Sequence, residues 1–335
     1  MKILHVVPGL GETGNGIAVA AKMIAEEQGG ELLDCSDFST GRLRDGDYDE
    51  VWVHSMWLPQ TILACWTVIR SGRKLVRMPH GCLDPVRLGY HGWKKRLIAP
   101  IERWIFRRTD RVVVTCEAER EWVRKYLGAG NCSDCSDCSD CSIERRGPEI
   151  EATDLKRFFR LKGAERSGKS EDEGDGRWRS LHLLYLGRRH PLKGVRFLER
   201  AVAQLQSEQS NNPNNRTIEL RIVSDHFGEE LEKDWEWCDV LCLPTLSENF
   251  GLVVAESLER GKRVVVTDGA PAWEPGESKK EEGKVKKCGR LIYLRGYRDG
   301  TDEERVRLLT EAIGELKTVW GREKFGIIQD KCGCI

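Results

Sequence analysis

The sequence predicts an α/β protein with two domains, each built around a doubly wound parallel sheet. Short β-branched runs alternate with amphipathic helical patterns along most of the chain, which is typical of parallel strands connected by helices. The chain has 335 residues, enough for two such domains. Residues 241–268 contain the same unit in compact form, as a strand, a loop, a helix and a strand.

The first half of the chain begins with a predicted strand from Lys2 to Val7. A glycine-rich turn, PGLGETGNG, follows it and leads into a helix from about Ile17. Glycines such as Gly14 and Gly16 allow a ligand to approach the backbone closely. The spacing matches neither the dinucleotide fingerprint nor the P-loop, so the residues alone support a binding loop and a plain turn equally.

Two further predicted strands end next to histidines. Residues 51–54 end in His54, and residues 74–78 are followed by His80 and Gly81. Open α/β sheets bind ligands beyond the carboxyl ends of their strands, so both histidines are candidate site residues. A purely structural role is equally well supported for His54.

Residues 92–108 interleave apolar and basic side chains, and residues 70–130 contain fifteen Lys or Arg against six Asp or Glu. Such a basic amphipathic helix can lie on an anionic membrane. It can equally pack its apolar stripe against the protein and leave its charges in water. The first interpretation predicts peripheral contact with an anionic membrane through residues 92–108.

Residues 131–142 contain a repeated Cys-Ser-Asp unit, whose first cysteine is Cys132 and whose last is Cys141. Four cysteines at this spacing could bind zinc or an iron–sulfur cluster, which would make a metal-binding redox protein. The perfect repetition favours replication slippage in a tolerant surface loop instead. We therefore predict an N-terminal domain at 1–127, a repeat loop and linker at 128–178, and a second domain at 179–335.

In the second half, a strand at residues 181–186 is followed by GRRHPLKG, which contains Arg188 and Lys193. Two fixed cations can stabilise the negative charge that develops on a departing phosphate, without a metal. The alternative is two basic residues at a helix start with no function. Cations are disfavoured at that end of a helix, so the functional interpretation is preferred.

The unit at 241–268 has a loop, TLSENFG, that leaves free backbone N–H groups at the start of a helix. The helix dipole there favours an anion. Glu248 lies in the loop, and Glu256 lies about two turns later near the same face. An anion site between two hydrogen-bond acceptors suits a phosphorylated, hydroxyl-rich ligand such as a nucleotide sugar, whereas glutamates on a solvated helix face are the alternative.

The phrase SENFGLVVAES, with the proline-terminated strand before it and the GAP at 269–271, resembles the signature of family-four retaining glycosyltransferases of the GT-B architecture (glycosyl transferases group 1). The Gly-Arg…Lys-Gly element at 187–194 and the His-Gly at 80–81 are similar to further motifs of that family. The resemblance implies two facing Rossmann-like domains with an interdomain cleft. It is strong over 181–273, weaker over 1–127, and slight over 128–178.

The resemblance also implies roles for the candidate residues. Glu256 would hold the ribose hydroxyls and Glu248 the hydroxyls of the donor sugar, while His80 would lie beside the reacting centre. The remaining donor contacts would come from the two cations, the glycine-rich turn and the backbone at the helix start: Arg188, Lys193, Gly14, Gly16, Asn249, Phe250, Gly251 and Leu252. The implied catalytic set is His80, Glu248, Arg188 and Lys193.

The implied activity is retaining, metal-independent hexosyl transfer from a nucleoside diphosphate sugar to a saccharide or lipid-linked acceptor, in cell-surface polysaccharide or lipopolysaccharide biosynthesis. The alternatives are a cytosolic synthase that glycosylates a soluble sugar, and an inactive GT-B scaffold. We expect no metal and no cofactor. The zero formal net charge argues against a nucleic-acid partner.

The expected location is the cytoplasm, or the inner face of the cytoplasmic membrane if the acceptor is lipid-linked. The sequence contains no run of about 18 apolar residues, which a transmembrane helix requires. The apolar part of the first residues is too short for a signal peptide.

Overall fold

The computed structural model describes residues 1–90, 92–128, 148–159, 180–209, 217–275 and 285–319. The chain divides into two compact units, Met1–Phe158 and Phe159–Ile335. Each unit is an α/β structure around its own sheet.

The first unit contains a six-stranded sheet in which all neighbouring strands are parallel. Its strands are β1 (Ile3–Val7), β2 (Glu31–Asp34), β3 (Glu50–His54), β4 (Lys74–Met78), β5 (Arg111–Val114) and β6 (Glu149–Ala152). Its helices are α1 (Gly16–Gln28), α2 (Thr40–Asp45), α3 (Pro59–Ser71), α4 (Pro85–Gly89), α5 (Gly92–Phe106) and α6 (Glu117–Leu127). The strand order is β2-β1-β3-β4-β5-β6, so the chain reverses its direction across the sheet between β1 and β3.

Local sequence explains where α1 begins and ends. The Asn15 side chain accepts a hydrogen bond from the Ile17 N–H at 3.1 Å, which caps the first turn. At the other end, Gly29 adopts φ +70°, and glycine is suited to this left-handed termination. Every residue of β1 and of β3 is buried, as expected for parallel strands covered by helices on both faces.

The second unit also contains a six-stranded sheet, in the order β11-β12-β10-β9-β7-β8. Its strands are β7 (Ser180–Leu186), β8 (Thr217–Val223), β9 (Val240–Leu243), β10 (Arg263–Thr267), β11 (Val285–Cys288) and β12 (Leu291–Leu294). Its helices are α7 (Val195–Gln209), α8 (Glu229–Trp237), α9 (Leu252–Glu259) and α10 (Asp302–Val319). All pairs are parallel except β11 with β12, and the reversal of direction falls between β7 and β9.

The predicted fold class, α/β with two doubly wound and largely parallel sheets, is confirmed. Within 128–178, where the sequence predicts a loop and linker, β6 pairs with β5 in the first sheet. The cysteine repeat at 131–142 lies outside the described residues. Among the residues that are described, no helix has both the length and the hydropathy needed to cross a bilayer.

Candidate functional site

The main candidate site lies where the strand order of the second sheet reverses. The loop after β7 leads toward β8, and the loop after β9 leads in the opposite direction toward β10. Crevices between two such loops are the usual ligand sites of open α/β sheets. Here the Leu192 carbonyl joins the loops, because it accepts hydrogen bonds from the Leu246 N–H at 2.8 Å and the Thr245 hydroxyl at 3.1 Å.

Gly194 allows the close approach of these two loops. It has φ +65°, and a Cβ at this position would lie 1.9 Å from the carbonyl oxygen of Pro244. That distance is far inside van der Waals contact with backbone, so a larger residue would push the loops apart. In the predicted Lys-Gly motif, Gly194 therefore has a structural role, and Lys193 is the residue whose side chain can act on a ligand.

Lys193 Nζ forms an ion pair with Glu248 Oε2. The two side chains remain about one-fifth exposed, at 21% and 17%. A largely buried ammonium can stabilise phosphate charge, and the carboxylate beside it can accept hydrogen bonds from sugar hydroxyls. The structure thus brings together two residues that the sequence predicted separately.

Arg188 lies at the exposed start of the loop after β7. The Tyr185 hydroxyl donates a hydrogen bond to the Arg188 carbonyl at 3.0 Å, which fixes the backbone there. No ion pair to the Arg188 guanidinium forms within the described part of the chain. The adjacent Arg189 differs, because it pairs with Glu199 at 2.9 Å. Of the two arginines, Arg188 is the one available to an anion.

The turn before α9 is anchored by two aromatic rings. Phe250 is 4% exposed, and its ring lies 5.2 Å from that of Trp273, whose indole N–H donates to the Phe250 carbonyl. The sequence predicts a loop up to Gly251, and α9 begins at Leu252, with this packing holding Phe250 in the loop. Gly251, at φ +70°, precedes the helix and provides no side-chain cap. Asn249 is buried beside them.

Glu256 lies one turn inside α9 and is partly buried. Burial raises the pKa of its carboxyl, an effect that the positive charge of Arg260 opposes. None of the described residues donates a hydrogen bond to this carboxylate. A partly desolvated carboxylate of this kind is a ready acceptor for ligand hydroxyls.

In the first unit, His80 lies just beyond β4 and is 4% exposed. It has φ +53°, an unfavourable conformation for a residue with a Cβ, costing on the order of 1–3 kcal/mol. Glu119 stabilises the turn, since its buried carboxylate accepts hydrogen bonds from the N–H groups of Gly81 at 2.5 Å and Thr115 at 2.8 Å. Burial raises the pKa of Glu119. Strain supported in this way is common at functional sites.

Gly14 lies in the exposed turn between β1 and α1 with φ +73°, and the exposed Gly16 is the first residue of α1. The Asn15 amide donates to the carbonyls of Pro8 at 2.8 Å and Gly9 at 3.0 Å, which closes the turn. This turn follows β1 at the reversal point of the first sheet.

A buried ion pair that the sequence did not predict holds the neighbouring loop after β3. Arg77 and Glu102 are both fully buried and pair at 3.2 Å. Arg77 also donates to the Ser55 carbonyl at 3.0 Å, and Glu102 accepts from the Trp57 N–H at 2.8 Å. Ser55 and Trp57 have φ +70° and +71°, so the pair restrains two strained residues. The available signals were an arginine inside an apolar strand and a lone acid in a basic helix.

The candidates are therefore divided between the two units. The second unit holds Arg188, Lys193, Glu248, Asn249, Phe250, Gly251, Leu252 and Glu256. The first holds His80, Gly14 and Gly16. In the described ranges, no group of three or more His, Cys, Asp or Glu side chains is arranged to hold a metal ion.

Comparisons with known proteins agree with this fold. Residues 12–131 match the family model described as a glycosyl transferase 4-like domain. The sequence matches none of the curated proteins significantly.

Solved structures match over almost the whole chain, although at low identity. Sucrose-phosphate synthase from Thermosynechococcus elongatus has a TM-score of 0.58 at 12% identity, covering 96% of this chain and 91% of the other. Anabaena Alr3699/HepE in complex with UDP-glucose has a TM-score of 0.53 at 15% identity, covering 94% and 90%. The E. coli trehalose-6-phosphate structure bound with UDP-2-fluoro glucose has a TM-score of 0.55 at 12% identity, covering 96% and 97%. The fold is that of GT-B glycosyltransferases.

Proposed function

We propose that this protein is a retaining, metal-independent glycosyltransferase that transfers a hexose from a nucleoside diphosphate sugar to a saccharide acceptor. The observation that carries the proposal is the ion pair of Lys193 with Glu248 at the reversal point of the second sheet, beside the exposed Arg188. Two cations and an acceptor at this point suit a ligand with a diphosphate joined to a sugar.

In the proposed reaction, the bond between the anomeric carbon and the donor phosphate breaks while a bond to the acceptor oxygen forms on the same face. Negative charge builds on the departing phosphate, where Lys193 and Arg188 stabilise it. The acceptor proton passes to an oxygen of that phosphate. Glu248 holds the sugar hydroxyls, Glu256 the ribose hydroxyls, and His80 lies beside the reacting centre.

The first donor to test is UDP-glucose. The Anabaena HepE structure contains UDP-glucose, and the E. coli structure contains a fluorinated analogue of it. Retention is supported by the likeness to a trehalose-6-phosphate synthase structure whose description concerns glycosyl transfer with retention.

For the acceptor, the comparisons favour a soluble sugar, because several similar structures are sucrose-phosphate or trehalose-phosphate synthases. We therefore prefer the first of two candidate functions, a cytoplasmic synthase that acts on a soluble sugar. The second is the assembly of cell-surface polysaccharide or lipopolysaccharide. The second possibility retains support from one surface of the first unit.

That surface, termed the apolar–basic surface, is formed by exposed side chains of α3 and α5: Leu63, Trp66, Trp93, Leu97, Ile101 and Trp104. They are between 37% and 70% exposed. Four of them, Leu63, Trp66, Ile101 and Trp104, line an open apolar groove of about 500 Å³ between the two helices. Six basic residues lie within 92–108, and the only acid there, Glu102, is buried against Arg77. The exposed part of α5 is therefore entirely apolar or cationic.

This chemistry fits an anionic membrane. Tryptophans and aliphatic side chains insert into the interface while cations meet lipid headgroups. Arg70 and Arg108 lie over the rings of Trp66 at 4.7 Å and Trp104 at 4.2 Å, which places cations at the edge of the apolar area. A second copy of the chain is a poorer occupant, because symmetric pairing would bring the cations together. We propose peripheral binding of this surface to an anionic membrane, where a lipid-linked acceptor would be reached.

Sedimentation with lipid vesicles tests the membrane proposal. The protein should bind vesicles containing phosphatidylglycerol, bind pure phosphatidylcholine weakly, and dissociate as salt is raised. Trp93→Glu with Leu97→Glu should abolish binding, whereas Phe227→Glu, at a residue 46% exposed in the other unit, should not. Failure to bind anionic vesicles, or equal binding by the double variant, would contradict the membrane proposal and leave the soluble sugar as the only proposed acceptor.

Incubation with UDP-, GDP- and ADP-glucose tests the activity. Slow release of one nucleoside diphosphate, together with thermal stabilisation by the same nucleotide, is the expected result. The rival from a different class is a GT-B scaffold that binds a partner without catalysis. Absence of stabilisation and release with all three donors would favour that scaffold.

A further inference from the structure

Three buried histidines form a continuous chain across the first sheet. His5 lies in the middle of β1, His54 ends β3, and His80 follows β4. Their exposed fractions are 0%, 0% and 4%. The nitrogens Nδ1 of His5 and Nε2 of His54 are 3.1 Å apart, and Nδ1 of His54 and Nε2 of His80 are 2.8 Å apart.

The strand register explains this arrangement. His5 is paired with Trp52, so His54 lies two residues beyond it toward the carboxyl edge of the sheet. His54 is paired with Met78, so His80 lies two residues further again. The ring centroids are 5.4 Å apart between His5 and His54, and 5.1 Å apart between His54 and His80. The chain therefore runs diagonally from the sheet interior to its ligand-binding edge.

All three imidazoles are neutral at neutral pH. Burial lowers the pKa of His5 to about 4 and that of His80 to about 3. Burial also holds the pKa of His54 well below its ordinary value, and the positive charge of Arg77 lowers it further. A neutral imidazole has one N–H and one lone pair, so each ring must donate to one neighbour and accept from the other.

Two directions satisfy this rule, and the inner end distinguishes them. His5 Nε2 is buried without a hydrogen-bond partner in the described structure, and the Gln28 side chain, which opposes the shift in the His5 pKa, does not reach hydrogen-bond geometry with it. A buried N–H without an acceptor is rarer in proteins than an unused lone pair. The lone pair therefore belongs on His5 Nε2, and the protons belong on the three Nδ1 atoms.

We propose that His54 is a positioning residue which, with His5, holds His80 as the Nδ1–H tautomer, so that His80 presents a hydrogen-bond donor at the sheet edge. His80 Nδ1–H would donate to an oxygen of the bound sugar and could not accept a proton there. The functional meaning rests on the proposed role of His80 in glycosyl transfer. The tautomer itself is a property of the protein without substrate.

Nitrogen-15 NMR of the full chain labelled at histidine tests this proposal, since it reports which ring nitrogen carries the proton. The expected result is a single Nδ1–H tautomer for His54 and His80, unchanged between about pH 8 and pH 6, the range above their lowered pKa values. An Nε2–H tautomer at His80, or a mixture in the native protein, would overturn the proposal.

Variants of the chain provide the controls. His54→Phe keeps a ring but removes both nitrogens, so His80 should change to an Nε2–H tautomer or a mixture. His5→Phe should also mix the His54 tautomers from the far end, and it serves if His54→Phe does not fold. Trp52→Phe alters the same ring stack, 5.1 Å from His5, without touching a chain nitrogen and should leave His80 unchanged. An unchanged His80 tautomer in both histidine variants would also contradict the proposal.

The result is separable from the proposed activity. A fixed Nδ1–H tautomer in a protein that binds no donor would retain the histidine chain and remove the glycosyltransferase proposal. Donor turnover in a protein whose His80 carries Nε2–H would do the reverse.

Discussion

Lys193 and Glu248 are 55 positions apart in the chain, yet their side chains form an ion pair between the loops that follow β7 and β9. In the proposed site, the lysine binds phosphate and the glutamate binds sugar. Donor binding would therefore replace this ion pair with two ligand contacts, each charge exchanging its protein partner for a donor group. The pair keeps both charges compensated until the donor arrives.

Removal of the lysine should affect turnover most strongly. Lys193→Ala is expected to lower kcat by about 100-fold or more, the typical loss for one group that stabilises developing charge. Release of nucleoside diphosphate under saturating donor measures this effect. Lys287→Ala is the matched control. Lys287 lies on β11, is half exposed, and forms an ion pair with Glu315 of α10 at 2.6 Å. Unchanged kcat in Lys193→Ala would refute the assignment.

The two adjacent arginines should respond differently to the same substitution. Arg188→Ala is expected to weaken donor binding by about 10- to 100-fold, the cost of a lost charge-assisted hydrogen bond. Arg189→Ala should change donor affinity less than about threefold, because Arg189 is engaged by Glu199 at the surface. Titration calorimetry of both variants gives the comparison, and equal losses would contradict the role of Arg188.

Glu256→Gln should stabilise the free protein while weakening donor binding. Burial raises the pKa of Glu256, so the folded chain holds this proton more tightly than the unfolded chain does. The ionised form therefore reduces stability at neutral pH, and the amide removes that cost. Thermal unfolding with and without donor measures both effects. Glu259→Gln on the same helix is the control, and a lower Tm without donor would contradict this account.

The same carboxyl should give donor binding a pH dependence. Below its raised pKa, Glu256 is protonated and loses an acceptor for the ribose hydroxyls, so affinity should fall on acidification. The fall should begin above the range of an ordinary glutamate, whose pKa is 4.5. Affinity measured from about pH 8 down to pH 4 should show this limb in the native protein, and Glu256→Gln should lack it.

Breaking the buried Arg77–Glu102 pair should strongly destabilise the first unit. Glu102→Gln leaves the Arg77 charge buried without compensation, which typically costs about 3–5 kcal/mol. Glu117→Gln, in an exposed pair with Arg120 at 3.2 Å, should cost less than about 1 kcal/mol. Urea titration of both variants measures the difference. Similar midpoints for the two would contradict a large cost for leaving Arg77 buried without a partner.

Local patterns in the sequence predicted most of the strands. The predicted bounds match at Lys74–Met78 and differ by one residue at the start of β1, β3 and β7, because each is a short apolar or β-branched run with clear ends. The strand β6 was not predicted, since Glu149–Ala152 is mostly exposed and polar and gains its structure by pairing with β5. Its register is determined by a neighbour that is distant in sequence.

The site followed the same division between local and distant information. The residue types and spacing of Arg188, Lys193, Glu248 and Glu256 were readable from the sequence, but the pairing of Lys193 with Glu248 was not. Phe250 was predicted in the loop before the helix, but its contact with Trp273, which holds it there, was not readable from the sequence. Such contacts depend on the tertiary fold, which local residue patterns do not encode.

The measurement that tests the central claim most directly is a calorimetric comparison of UDP and UDP-glucose binding to two variants. If Lys193 binds phosphate and Glu248 binds sugar, Lys193→Ala should lower the affinity for both ligands by about 10- to 100-fold. Glu248→Gln should lower the affinity for UDP-glucose alone. Equal affinities of native protein and both variants for UDP-glucose would contradict a donor site at the Lys193–Glu248 pair.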